Sequence, residues 1–145
     1  MMKCLLVAVC VLAWTKVHAA APLDLSSLRG RVVYLDFWAS WCGPCRQSFP
    51  WMQGLQDAYA GRGLEVVAVN VDADRGDAEK FLRLFHPTFD VRFDPAGRAA
   101  EQFKVTGMPT SMIIDRHGVV RYVHIGFRPV DRTAYEEQLR QVLAE

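Results

Sequence analysis

From Val32 to Ala39 the chain is apolar at every position except Asp36, and β-branched and aromatic residues dominate the run RVVYLDFWA (31–39). A run without polar alternation predicts a central strand covered on both faces. LEVVAVNVD (64–72) repeats the pattern and predicts a second buried strand. Between them, Gly43 to about Ala60 is helical in composition and stops at Gly61-Arg62-Gly63. DRGDAEKFLRLF (74–85) predicts another helix, with Asp74 or Asp77 near its start, where a negative charge is favourable, and His86-Pro87 ending it. Phe81, Leu84 and Phe85 recur at helical spacing and are expected in the core. A weaker strand around Val91 to Phe93 leads into a short helical patch, Ala96 to Phe103. TSMIID (110–115) and VVRYVHI (119–125) flank Arg116-His117-Gly118, a hairpin signal with glycine where a positive φ is needed. Asp131 opens a last amphipathic helix with Tyr135, Leu139, Val142 and Leu143 on one side. This alternation predicts an α/β layered fold, and the terminal hairpin makes the central β-sheet mixed.

The N-terminus departs from this pattern. MMKCLLVAVCVLAWTKVHAAAP (1–22) has an early lysine, then an uncharged apolar stretch, then a string of alanines before a proline. That is the order of a secretory signal peptide, expected over residues 1–20, with the folded domain at 21–145. The stretch falls short of the ~20 residues a spanning helix needs, so it fits a membrane anchor less well. Neither Cys4 nor Cys10 follows a small residue, which does not favour lipid attachment. At 145 residues, 51% hydrophobic and 23% charged, the chain suffices for one domain with a real core. Removing residues 1–20 takes Lys3 and Lys16, leaving 15 basic against 16 acidic residues and a net charge of −1. With no basic stripe, neither nucleic acid nor an anionic membrane surface is an expected partner.

The same cleavage removes Cys4 and Cys10, leaving only Cys42 and Cys45, in FWASWCGPCRQSFP (37–50). A structural zinc site needs four ligands, and His86, His117 and His124 stand at no ligand spacing from the pair. Haem attachment needs histidine directly after the second cysteine, where Arg46 stands. A purely structural disulfide with two intervening residues closes a very small loop and restrains the unfolded chain least of any spacing. At a helix start, however, free backbone N–H groups and the helix dipole favour a thiolate at Cys42. A thiolate attacks disulfides, and a nearby second thiol resolves the mixed disulfide. The residues therefore point to a reversible dithiol/disulfide couple, Cys42 attacking and Cys45 resolving.

WCGPC (41–45) after an apolar strand resembles the active site of the thioredoxin superfamily. Pro50 stands where these proteins kink the following helix, and GMPT (107–110) resembles their cis-proline loop. The resemblance implies that Pro109 is the cis-proline and Met108 the residue whose backbone pairs with bound substrate. It also implies that VHIG, ending at Gly126, forms the third loop of the substrate groove, and that Trp41, Gly43 and Pro44 belong to an apolar docking surface with Met108. The extra chain between VNVD (69–72) and Met108 resembles TlpA/ResA-like envelope thiol–disulfide oxidoreductases, implying a thioredoxin fold with an inserted central helix and strand. Asp36, six residues before Cys42, resembles instead the aspartate of thioredoxin proper, which assists proton transfer at the buried cysteine. Its lysine companion is replaced by Ala68. Burying an unpaired carboxylate costs several kcal/mol unless it is protonated.

The expected protein is thus an exported, periplasmic or otherwise extracytoplasmic reductase of protein disulfides, monomeric and without cofactor or metal. A membrane-embedded thiol electron donor would re-reduce it. The resemblance implies cytochrome c maturation or copper-site assembly as destinations. Gly43-Pro44 between the cysteines resembles reducing thioredoxins. Two readings from other classes remain: a copper-binding metallochaperone on the same fold, and a redox-inactive adaptor.

Overall fold

In the structure, a computed structural model describing residues 23–145, five strands and four helices build a layered α/β domain. The expected signal peptide, with Cys4 and Cys10, lies outside the described residues. The strands are β1 (Val32–Trp38), β2 (Leu64–Asn70), β3 (Asp90–Phe93), β4 (Thr110–Ile114) and β5 (Val120–Ile125). The helices are α1 (Gly43–Tyr59), α2 (Arg75–Phe85), α3 (Arg98–Gln102) and α4 (Arg132–Leu143). Strand order across the single sheet is β3-β2-β1-β4-β5. β1 runs parallel to β2 and β2 to β3, while β4 is antiparallel to β1 and β5, so the sheet is mixed as its pattern predicts. The inserted helix and strand are α2 and β3, and β3 forms the sheet edge beside β2.

All seven residues of β1 are buried because the strand is central and both faces are covered. Its even-numbered residues, among them Tyr34 and Trp38, pack with residues of α1, α2 and α4. Val33, Leu35 and Phe37 face the opposite layer, closed by Ala99 of α3 and by Leu23, Leu25 and Leu28. Where α1, α2 and β1 meet, Phe49 and Phe81 lie 4.7 Å from the Trp38 ring and 4.8 Å from each other. Such edge and tilted contacts add to simple area burial and fix the helix that carries the cysteines against the strand.

Leu84 corrects the sequence-based expectation: it is 68% exposed. The buried stripe of α2 is Ala78 and Phe81, flanked by the half-buried Leu82 and Phe85. At 100° per residue Leu84 falls roughly 110° from the centre of that stripe, on the solvent side. The hairpin matches its pattern, Gly118 having φ +77° and donating its N–H to the Asp115 carbonyl at 2.9 Å.

Candidate active site

The loop after β1 delivers the cysteine pair. Asp72, just beyond β2 and buried, accepts from the Ser40 N–H at 2.8 Å, the Ser40 hydroxyl at 2.9 Å and the Asn70 amide at 2.6 Å. Trp38 pairs with Asn70 in the parallel register, so the ends of β1 and β2 lie side by side and this carboxylate ties one to the other. Sequence reasoning missed Asp72. The available signal was a carboxylate two residues after a strand-end asparagine, at the C-terminal edge of a parallel pair.

The loop closes with Cys42 N–H donating to the Ala39 carbonyl at 3.1 Å. Cys42 is the N-cap of α1 in extended conformation, and its Sγ accepts from the Cys45 N–H at 3.2 Å. The two sulfurs are joined, S–S 2.06 Å. Gly43 and Pro44 open the helix and are exposed; proline is tolerated there because the first N–H groups have no partner within the helix. Cys42 and Cys45 are buried, 4% and 0% exposed, whereas Trp41 is 71% exposed. Beside Trp41 a cleft of about 210 Å³ is lined by Arg46, Phe81 and Leu84 among others, so α2 borders the redox site.

On β1, on the sheet face that packs against α1, Asp36 is 1% exposed and its Oδ2 has no hydrogen-bond partner. Burial pushes its carboxyl well above the usual aspartate range, so a neutral acid is the form the site favours. Ala68 is its register partner on β2, and Ser111 its partner on β4.

The Met108–Pro109 peptide bond is cis. Thr110 donates its hydroxyl to the Gly107 carbonyl at 2.7 Å, and the Gly126 N–H donates to the Pro109 carbonyl at 2.7 Å. These bonds join the proline loop to the β5 exit, where Gly126 adopts φ +81°. Pro109 is buried, while Met108 and Gly126 are half-buried.

The sequence pattern of the Redoxin family matches residues 17–142. The chain belongs to the Redoxin family. Within the thioredoxin superfamily this Redoxin chain is ResA-like. It is 36% identical over 112 residues to the thiol-disulfide oxidoreductase ResA of Oceanobacillus iheyensis, covering 77% of this chain and 58% of that one. It is 42% identical over 107 residues to the thioredoxin-like protein YneN of Bacillus subtilis, covering 71% and 61%. The Chlorobium tepidum protein whose crystal structure bears the name thiol:disulfide interchange protein DsbE is 55% identical. It superposes with a TM-score of 0.81 over 83% of this chain and 86% of its own. The chain spans about three fifths of the length of the curated relatives it matches.

Proposed function

We propose that this Redoxin-family chain is an exported thiol–disulfide oxidoreductase that reduces disulfides in envelope proteins. The observation that carries the reading is the closed Cys42–Cys45 pair at the N-terminus of α1, with Cys42 Sγ held by a backbone N–H and Trp41 exposed beside it. Relatives named as thiol-disulfide oxidoreductases and a thiol:disulfide interchange protein support it.

In the reduced protein the Cys42 thiolate attacks one sulfur of a substrate disulfide and expels the other as a thiolate. A mixed disulfide forms, held by Met108-Pro109, Gly43-Pro44 and Gly126 against the Trp41 surface. Cys45 then loses its proton to Asp36, which acts in its ionised form, and attacks Cys42 Sγ, which releases the second substrate sulfur as a thiolate. Two electrons pass to the substrate, its two sulfurs take their protons from water, and the protein ends in the disulfide form. Asp36 suits this role because burial favours its protonated form, so it accepts a proton readily once it is ionised. A membrane-embedded thiol donor re-reduces the pair, because an oxidising compartment keeps returning it to disulfide. Cytochrome c or copper-site precursors are the substrate classes that the family resemblance offers.

Insulin-disulfide reduction tests the reading. The protein should turn over with dithiothreitol as donor and Cys42→Ser should not. A wild-type protein without turnover is an adaptor rather than an enzyme.

A further inference from the structure

We propose that Ser111 and His124 are positioning residues for Asp36, completing a polar row across β1, β4 and β5 that carries the Asp36 proton to the sheet edge. The proposal rests on the dithiol chemistry proposed above.

Asp36 pairs with Ser111, and Ser111 with His124, so the three side chains share the sheet face that packs on α1 and α4. All three are buried, at 1%, 5% and 8% exposure. A buried polar residue needs a partner, and here the partners form a chain. The Tyr34 hydroxyl donates to Ser111 Oγ at 2.8 Å, Ser111 Oγ lies 3.3 Å from His124 Nδ1, and His124 Nε2 lies 2.7 Å from Gln138 Oε1. One assignment satisfies the bonded members, Tyr34, Ser111, His124 and Gln138, and leaves Asp36 Oδ2 without a partner. Nε2 carries the imidazole hydrogen and gives it to Gln138, so Nδ1 is the acceptor for the Ser111 hydroxyl. Around His124 stand Ser111 from the sheet, which also holds the Tyr34 hydroxyl, and Tyr135 and Gln138 from α4. The Tyr135 ring stacks at 3.7 Å. Asp131 precedes α4 and is itself bridged to Arg128 at 2.7 Å. Burial lowers the pKa of His124 and so favours the neutral imidazole that this assignment requires.

Ser111 is the switch point. In the structure its single hydroxyl proton faces His124 Nδ1, and Asp36 Oδ2 on the facing strand has no partner. Directly opposed Cβ atoms in an antiparallel pair lie about 4.5–5.5 Å apart, so in the proposed exchange the Ser111 side chain turns from His124 toward the Asp36 carboxyl. When Asp36 holds a proton taken from Cys45, it passes that proton to Ser111 Oγ while the Ser111 proton moves to Nδ1. Asp36 is left as carboxylate facing the serine O–H; His124 becomes an imidazolium that burial disfavours, so it is short-lived and gives its Nε2 proton up to solvent past Gln138. Proton number balances and no redox partner is needed. Asp36 has Ala68 on its β2 flank and a histidine-terminated row on its β4 flank.

Reduced protein mixed with Ellman's reagent tests the row. The first thionitrobenzoate release reports attack by Cys42, the second resolution by Cys45. Ser111→Ala and His124→Gln should each slow the second release relative to the first, roughly tenfold near neutral pH. The deficit should close at alkaline pH, where hydroxide deprotonates Cys45 directly. Ser111→Thr, which keeps the hydroxyl, should restore the rate, and in an Asp36→Asn background neither change should slow it further. Wild-type rates in both variants, a deficit equal at every pH, or effects that multiply with that of Asp36→Asn overturn the proposal. Insulin reduction by the wild-type protein tests the enzymatic reading separately.

Discussion

The backbone N–H of Cys45 donates to Cys42 Sγ across one turn at the start of α1, 3.2 Å apart. The contact places the first sulfur where a helix N-terminus stabilises negative charge, and it places the second cysteine, wholly buried, behind it. The two thiols are therefore unequal before any substrate arrives. Cys42→Ser should abolish insulin reduction. Cys45→Ser should accumulate a mixed disulfide with substrate, visible as a covalent adduct by mass spectrometry and released by dithiothreitol.

Asp36 makes stability depend on pH in a direction set by its burial. Its folded-state carboxyl titrates above the ordinary aspartate range, so as pH rises the unfolded chain releases this proton first. Stability is then lost with rising pH, from about pH 4 up to the folded-state value, by about 1.4 kcal/mol per pH unit. Asp36→Asn should remove that slope. Denaturant titrations should show the variant gaining on wild type as pH rises above about 4 and matching it in acid, while resolution of the mixed disulfide slows.

Asp72 holds the cysteine loop through Ser40. Asp72→Ala strands those donors and the Asn70 amide in a buried site, at a cost of about 2 kcal/mol. Thermal unfolding should register the loss in both redox states, and insulin reduction should fall as the loop loses its tether.

Trp41 is the test of docking. Being largely exposed, it can be replaced by alanine with a stability change within about 0.5 kcal/mol. Trp41→Ala should lower kcat/KM for insulin several-fold more than for a small disulfide such as oxidised glutathione. An equal loss on both would place the tryptophan in the chemistry rather than in recognition.

The two hydrophobic positions of α2 separate cleanly. Phe81→Ala opens the aromatic cluster with Trp38 and Phe49 and should cost about 3–5 kcal/mol, whereas Leu84→Ala should stay within about 0.5 kcal/mol. Chemical denaturation distinguishes them.

What was legible in the chain follows the range of the interactions. β1 and β2 announce themselves because a central strand must be apolar on both faces, and the cysteine pair because thiols at a helix start have few bland uses. Leu84 misleads because helical spacing alone does not say how wide a buried stripe is; the width depends on what packs against α2. Asp72, Ser111 and His124 stay hidden for a related reason. Each earns its surroundings through strand register, Trp38 beside Asn70 and Asp36 beside Ser111 beside His124, and register joins residues far apart in sequence. Asp36 could be singled out because its anomaly is local, one carboxylate in an apolar run.

The reduction potential of the Cys42–Cys45 couple, measured by equilibration with dithiothreitol or glutathione mixtures, tests the central claim most directly. A reductant of protein disulfides should give a value near thioredoxin's, about −270 mV. A value near −120 mV would reverse the flow and make the protein a donor of disulfides, and one well below about −300 mV would make the bridge structural.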